Sequence, residues 1–220
     1  MIAPSMATML CVVTTDIAIA PALLRALLQE ATERTFNRIS VDGEMSTNDT
    51  VFALASARSG VTIRSGTSAA QQFSQILGAV MAKLALLLVK DGEGASRIMD
   101  VEVVGARSDR EADQCARHVA FSPLVKTMLA GADLNVGRIA AAVGSSGAWC
   151  DPNKLEIAIG AQRLVSRGVA MRVGKSVSRE LLHRPEVKVQ IDLHAGRGEG
   201  RMLACDLTEE YVRINARYST

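Results

Sequence analysis

A threonine hydroxyl at position 8, inside the opening segment MIAPSMATML, is the first group whose type and placement could do chemistry. Ala7 precedes it and an apolar run follows. A free hydroxyl is too weak a nucleophile at neutral pH and needs a base beside it. Breaking the peptide bond on its amino side supplies that base, because the new α-amino group sits on the same residue. Such an amine, with an ordinary pKa of about 7.7 to 8.0, is partly neutral in the cell. Composition alone leaves Thr8 equally readable as the first residue of a strand.

The other chemistry-bearing residues read more plainly. Glu93 lies between glycines in DGEG, after an apolar helix, and is either a solvated turn residue or a carboxylate facing a cationic amine. STND, at 46 to 49, places four hydrogen-bonding side chains in a row and reads as a cap or structural turn. None of His118, His183 and His194 stands close in sequence to a serine or cysteine that reads as a nucleophile, so surface or structural roles are expected. Cys11, Cys115, Cys150 and Cys205 form no CxxC pair, which predicts reduced, mostly buried thiols and no metal site. GRGEG, at 196 to 200, opens no helix and is expected to be a hairpin loop, not a phosphate cradle. Walker, GxGxxG, GxSxG and zinc-protease signatures are absent.

With 25 basic against 23 acidic residues, the chain lacks the charge excess that nucleic acid or anionic lipid would require, and neither partner is expected. The run LALLLV, at 84 to 89, is far shorter than the roughly 20 residues of a membrane span. It predicts a buried helix segment and no membrane partner. No signal peptide pattern opens the chain, so a cytoplasmic protein is expected. Aromatics make up only 3% of the residues, so the core must be aliphatic.

The elements that would position these groups follow from periodicity. TMLCVV, from Thr8 to Val13, predicts a buried strand, and PALLRALLQEATERTF a helix starting at Pro21. Ser68 is placed to cap a long helix that stops at DGEG. RIMDVEVVGA then reads as a strand and SDREADQCARHVA as a helix with a Ser-Asp start. Beyond residue 150, LEIAIGAQRLVSRGVAM suggests a hairpin around Arg167 and Gly168. EVKVQIDLHAG alternates strictly, with Val187, Val189, Ile191 and Leu193 on one face. TEEYV is expected to be a short helix. The alternation of strands and helices predicts a layered α/β (α+β) fold, and the lack of any linker a single domain over 1–220.

Five strings in order, MIAPSMATML, TFNRISVDGEMSTNDT, LLVKDGEGAS, SPLVKTMLAGADLNVGRIAAAVG and CDLTEEYVRINARYST, carry a resemblance to one family. From first residue to last, the chain is similar to the β chain of the ornithine acetyltransferases (glutamate N-acetyltransferases) of arginine biosynthesis. The resemblance implies a self-cleaving N-terminal-threonine acyltransferase fold. It implies cleavage between Ala7 and Thr8, leaving 1–7 as the remnant of an upstream segment, and Thr8 as acyl acceptor. The implied reaction is ping-pong: N-acetylornithine acetylates the threonine, ornithine leaves, and glutamate takes the acetyl group. Some family members also accept acetyl-CoA as donor; no cofactor or metal is implied. Thr8, Glu93, Asn215 and Thr220 are the implied substrate-binding residues, and together they offer the acid and the neutral donors that an amino acid requires.

The resemblance also implies an α chain in a heterotetramer of two α and two β chains. Family precursors carry about as much chain again before this point, including a Lys-Gly segment and a threonine-glycine oxyanion pair. Activity is therefore expected to require that α segment. The alternatives are an inactive truncated fragment, or a related self-cleaving amidase or aminopeptidase. Three positions depart from the family pattern: Leu134, Val136 where tryptophan is frequent, and Arg217 where aspartate is usual.

Overall fold

The computed structural model describes residues 1–2 and 9–217. The chain divides into two compact units, Met1–Leu88 and Val89–Thr220. The boundary falls inside a helix, so no change of composition marks it.

In the first unit, β1 (Leu10–Thr15), β2 (Ala18–Ile19), α1 (Pro21–Arg34), β3 (Ile39–Ser40), β4 (Thr50–Ala55), β5 (Thr62–Ile63) and α2 (Ser68–Lys90) follow in order. Proline at the first turn of α1 costs no hydrogen bond, since that N–H has no partner inside a helix. β1 pairs in parallel with β4, from Leu10 opposite Thr50 to Thr15 opposite Ala55. The strand begins two residues later than TMLCVV suggested and is not buried. Leu10 is 77% exposed, Val12 60%, Phe52 49% and Leu54 57%, and the register puts all four on one face. Parallel pairs are normally covered on both faces, and this apolar face is covered by nothing among the described residues.

α2 is capped by Thr67, not by Ser68: Thr67 Oγ1 accepts from the Ala70 N–H at 3.2 Å. The helix is long and apolar enough to cross a bilayer, by length and composition. Leu77, Met81, Ala85 and Val89 are buried along one side, while Ile76, Val80, Leu84 and Leu87 are exposed, so a second apolar stripe of α2 is uncovered among the described residues. The expected burial of 84 to 89 is met only at Ala85 and Val89; Leu84 and Leu87 are exposed.

The second unit contains β6 (Ile98–Ala106), α3 (Asp109–Phe121), α4 (Pro123–Ala130), α5 (Val136–Ser145), β7 (Glu156–Ile159), β8 (Gln162–Ser166), β9 (Val169–Ala170), α6 (Lys175–Leu182), β10 (Glu186–Asp192), β11 (Gly198–Cys205) and α7 (Glu209–Arg217). The strands lie in the order β11-β6-β10-β7-β8-β9, with β6 and β10 parallel and the remaining neighbours antiparallel. Met99, Val101 and Val103 of β6 and Val187, Val189 and Ile191 of β10 project into a core shared with α3, α4 and α5. The other pleat of the sheet carries charge, with Arg201 paired to Asp100 at 2.7 Å and Lys188 to Glu102 at 2.9 Å. One helical layer on one face of a mixed sheet is the layered α/β arrangement expected from the sequence.

GRGEG is not a hairpin loop. β6 lies between β10 and β11, so the segment steps across β6 instead of reversing beside it. Its glycines let α3 lie directly on β11. A Cβ at Gly198 would fall 2.2 Å from the Ser108 carbonyl carbon, and one at Gly200 2.4 Å from that of Ala112. Both obstacles are backbone and cannot rotate away. Gly200→Ala is therefore expected to lower unfolding stability by about 1–3 kcal/mol. Gly78→Ala, in α2 with nothing within 4 Å of its added methyl, should be neutral or stabilising in the same thermal or denaturant titration.

Candidate functional site

Glu93 stands in the turn that follows α2, and α7 is docked on the residue after it. Gly94 has φ +67, and a Cβ there would meet the Tyr211 nitrogen at 2.5 Å and the Glu210 carbonyl carbon at 2.9 Å. Only glycine permits both that backbone conformation and that approach. Thr208 Oγ1 donates to the Gly94 carbonyl at 2.7 Å and accepts from the Tyr211 N–H at 3.3 Å. The same hydroxyl thus caps α7 and ties its first turn to the Glu93 loop.

The result brings two predicted site residues together across 122 positions: Asn215 Nδ2 donates to Glu93 Oε2 at 2.7 Å, and also to the Tyr211 carbonyl at 3.0 Å. Both side chains are exposed. Glu93 Oε1 and Asn215 Oδ1 make no hydrogen bond among the described residues. Both oxygens are acceptors, the complement of an ammonium, which has three donors and no acceptor. Ala7, Thr8 and Thr220 lie outside the described residues. Arg217 is exposed in the last turn of α7, where a cation complements the helix dipole. Arg213, bonded to Glu210, holds that carboxyl below its ordinary range, and Arg217 adds to the effect.

Behind the loop lies a polar hub that sequence reasoning missed. Asp206, at the end of β11, has a fully buried carboxylate. It accepts from the Ser96 N–H at 2.8 Å, from the Ser96 hydroxyl, and from the Arg97 N–H at 3.2 Å. The Arg97 guanidinium stands 3.8 Å away and also donates to the Leu129 and Ala130 carbonyls at 3.3 and 3.1 Å. The buried Lys126 ammonium bonds the Cys205 carbonyl alongside. The one signal for this hub in the sequence was the cap pattern Thr208–Glu209–Glu210–Tyr211, which marks a helix start and nothing about its docking.

STND acts as the structural turn expected of it. Asp49 Oδ1 accepts from the Met9 N–H at 2.6 Å and from Ser46 Oγ at 3.0 Å, anchoring the chain just ahead of β1. Asp49, Met9, Arg25, Gln29 and Glu33 share a cleft of about 380 Å³. Competing nucleophiles are weak. Burial pushes the Cys115 thiol up to about 11 and raises Cys11 and Cys150, so none is a thiolate at neutral pH. His118 Nε2 lies 3.0 Å from Ser145 Oγ, but that hydroxyl donates to the Ala141 carbonyl of its own helix at 2.9 Å. Its proton is committed, and no carboxylate orients the imidazole among the described residues.

If α7 is held by contact at Gly94, Gly94→Ala should push it off the loop and separate Asn215 from Glu93. Amide hydrogen exchange is expected to accelerate across 209–217 and to stay unchanged in β6. Equal protection of α7 in both proteins would contradict this docking.

The sequence profile of the ArgJ family matches residues 1–220. The arginine biosynthesis bifunctional protein ArgJ of Desulfotalea psychrophila is 46% identical over 220 residues, covering 99% of this chain and 56% of that protein. The glutamate N-acetyltransferase of Methanocaldococcus jannaschii is 42% identical over 230 residues, covering 100% and 56%. The crystal structure of ArgJ from Bacillus halodurans superposes with a TM-score of 0.92 at 39% identity, over 96% of this chain and 100% of that one. The chain spans about half the length of the curated relatives it matches. With its sequence matched from end to end and its fold superposed, the chain belongs to the ArgJ family.

Proposed function

We propose that this chain is the threonine-bearing half of an acetyltransferase that moves an acetyl group from N-acetylornithine to glutamate. The observation that carries the reading is the Asn215–Glu93 hydrogen bond at 2.7 Å, which joins two of the residues assigned to the substrate. Cleavage between Ala7 and Thr8 frees the α-amine of Thr8, which takes the proton from its own hydroxyl. The alkoxide attacks the acetyl carbonyl and the proton passes to the leaving amine of ornithine. The amine of glutamate then attacks the acyl-threonine, releasing N-acetylglutamate and restoring the hydroxyl. Glu93 and Asn215 hold a substrate ammonium, and Thr220 completes the site from the end of the chain.

The partner in this reading is an α chain, in an assembly of two α and two β chains. The uncovered face formed by Leu10, Val12, Phe52 and Leu54 supports it, since four large apolar residues side by side favour burial against another surface. The α chain would also bring the oxyanion donors, each commonly worth about 3 to 4 kcal/mol of transition-state stabilisation.

Thr8→Val in the complete precursor is expected to stop cleavage, seen as one band in place of two. It should lower acetyl transfer by roughly three orders of magnitude or more. Undiminished transfer would overturn the proposal, and release of acetate without glutamate would favour a hydrolase.

A further inference from the structure

We infer that Thr208, backed by the buried Asp206, is a positioning residue that sets the Glu93–Asn215 pair and so governs affinity for the amino-acid substrate. This rests on the reading that the pair binds a substrate ammonium.

Glu93 and Asn215 are exposed side chains on different segments, and an exposed hydrogen bond between long side chains does not hold its own geometry. The backbones beneath them must be fixed, and Asp206 and Thr208, two residues apart, do that. Asp206 grips the far side of the Glu93 loop through the Ser96 and Arg97 amides, at 2.8 and 3.2 Å. Thr208 grips its near side through the Gly94 carbonyl at 2.7 Å. Between them, Leu207 N–H donates to the Lys126 carbonyl at 3.3 Å and pins the connecting residue to α4. From Thr208 the chain enters α7, whose geometry carries Asn215 back over Glu93. Glu93, Gly94, Ser96, Asp206, Thr208 and Asn215 thus close a ring, in which Thr208 bonds the loop to the first turn of the helix and Asn215 bonds it to the last.

A threonine methyl and hydroxyl differ in consequence here. Valine keeps the shape at 208 but leaves the Gly94 carbonyl and the Tyr211 amide without their side-chain partner, whereas serine keeps both bonds. Neither change touches the nucleophile or the departing group, so the effect should fall on binding and not on chemistry.

The test uses the self-cleaved two-chain enzyme carrying Thr208→Val, Thr208→Ser, Asp206→Asn or Glu93→Gln, with KM for N-acetylornithine, kcat and unfolding temperature measured for each. Thr208→Val is expected to raise KM roughly tenfold, with kcat within about threefold. Thr208→Ser should restore the wild-type KM, and Asp206→Asn should shift KM in the same direction as valine. The inference is overturned if Glu93→Gln raises KM while Thr208→Val does not, or if serine and valine at 208 behave alike. If Glu93→Gln itself leaves KM unchanged, the substrate reading of the pair fails instead. A fall in unfolding temperature shared by the valine and serine variants, without a KM difference between them, would mark Thr208 as structural only and also overturn it.

Discussion

A carboxylate removed from water must be met by donors on nearly every lone pair, or it destabilises whatever encloses it. Asp206 satisfies that condition with two consecutive backbone amides, a serine hydroxyl and a nearby guanidinium. Because those donors come from residues 96 and 97, the end of β11 and the loop carrying Glu93 cannot move independently. Arg97 passes the constraint on to the last carbonyls of α4. The position of an exposed carboxylate is in this way decided by a buried one.

The cost of solvation bears in the reverse sense on the first unit, where apolar groups are left in water. β1 and β4 form a parallel pair whose large apolar side chains face outward. Apolar area left in water forgoes about 25 cal/mol per Å² that burial would return, so such a face is stable mainly as a contact surface. Asp49 fixes Met9 at the start of β1, so the backbone that follows Thr8 is anchored by a hydrogen bond before any partner is considered.

Much of this was legible in the sequence, and the exceptions have physical causes. The strict alternation of Val187, Val189 and Ile191 located β10 and its buried face, and the Ser108 start located α3. Period-2 and period-3.6 patterns are local, and local patterns survive folding. GRGEG was misread because sequence order gives no hint that β6 lies between β10 and β11; the glycines answer to the approach of α3, a contact made far away in the chain. TMLCVV looked buried because apolar composition reports a preference for burial, not whether a covering surface is present. Glu93 and Asn215 could be named from the resemblance, while the bond between them could not be, since 122 residues separate them. Asp206 went unnoticed because an aspartate before a helix is ordinary; only its burial and its partners distinguish it.

The most direct measurement is peptide mapping by mass spectrometry of the assembled two-chain enzyme mixed with N-acetylornithine and no glutamate. One acetyl group is expected on the peptide that begins at Thr8, released when glutamate is added. Transfer at full rate with no acetylated form of that peptide, even after rapid quenching, would contradict an acyl-threonine intermediate.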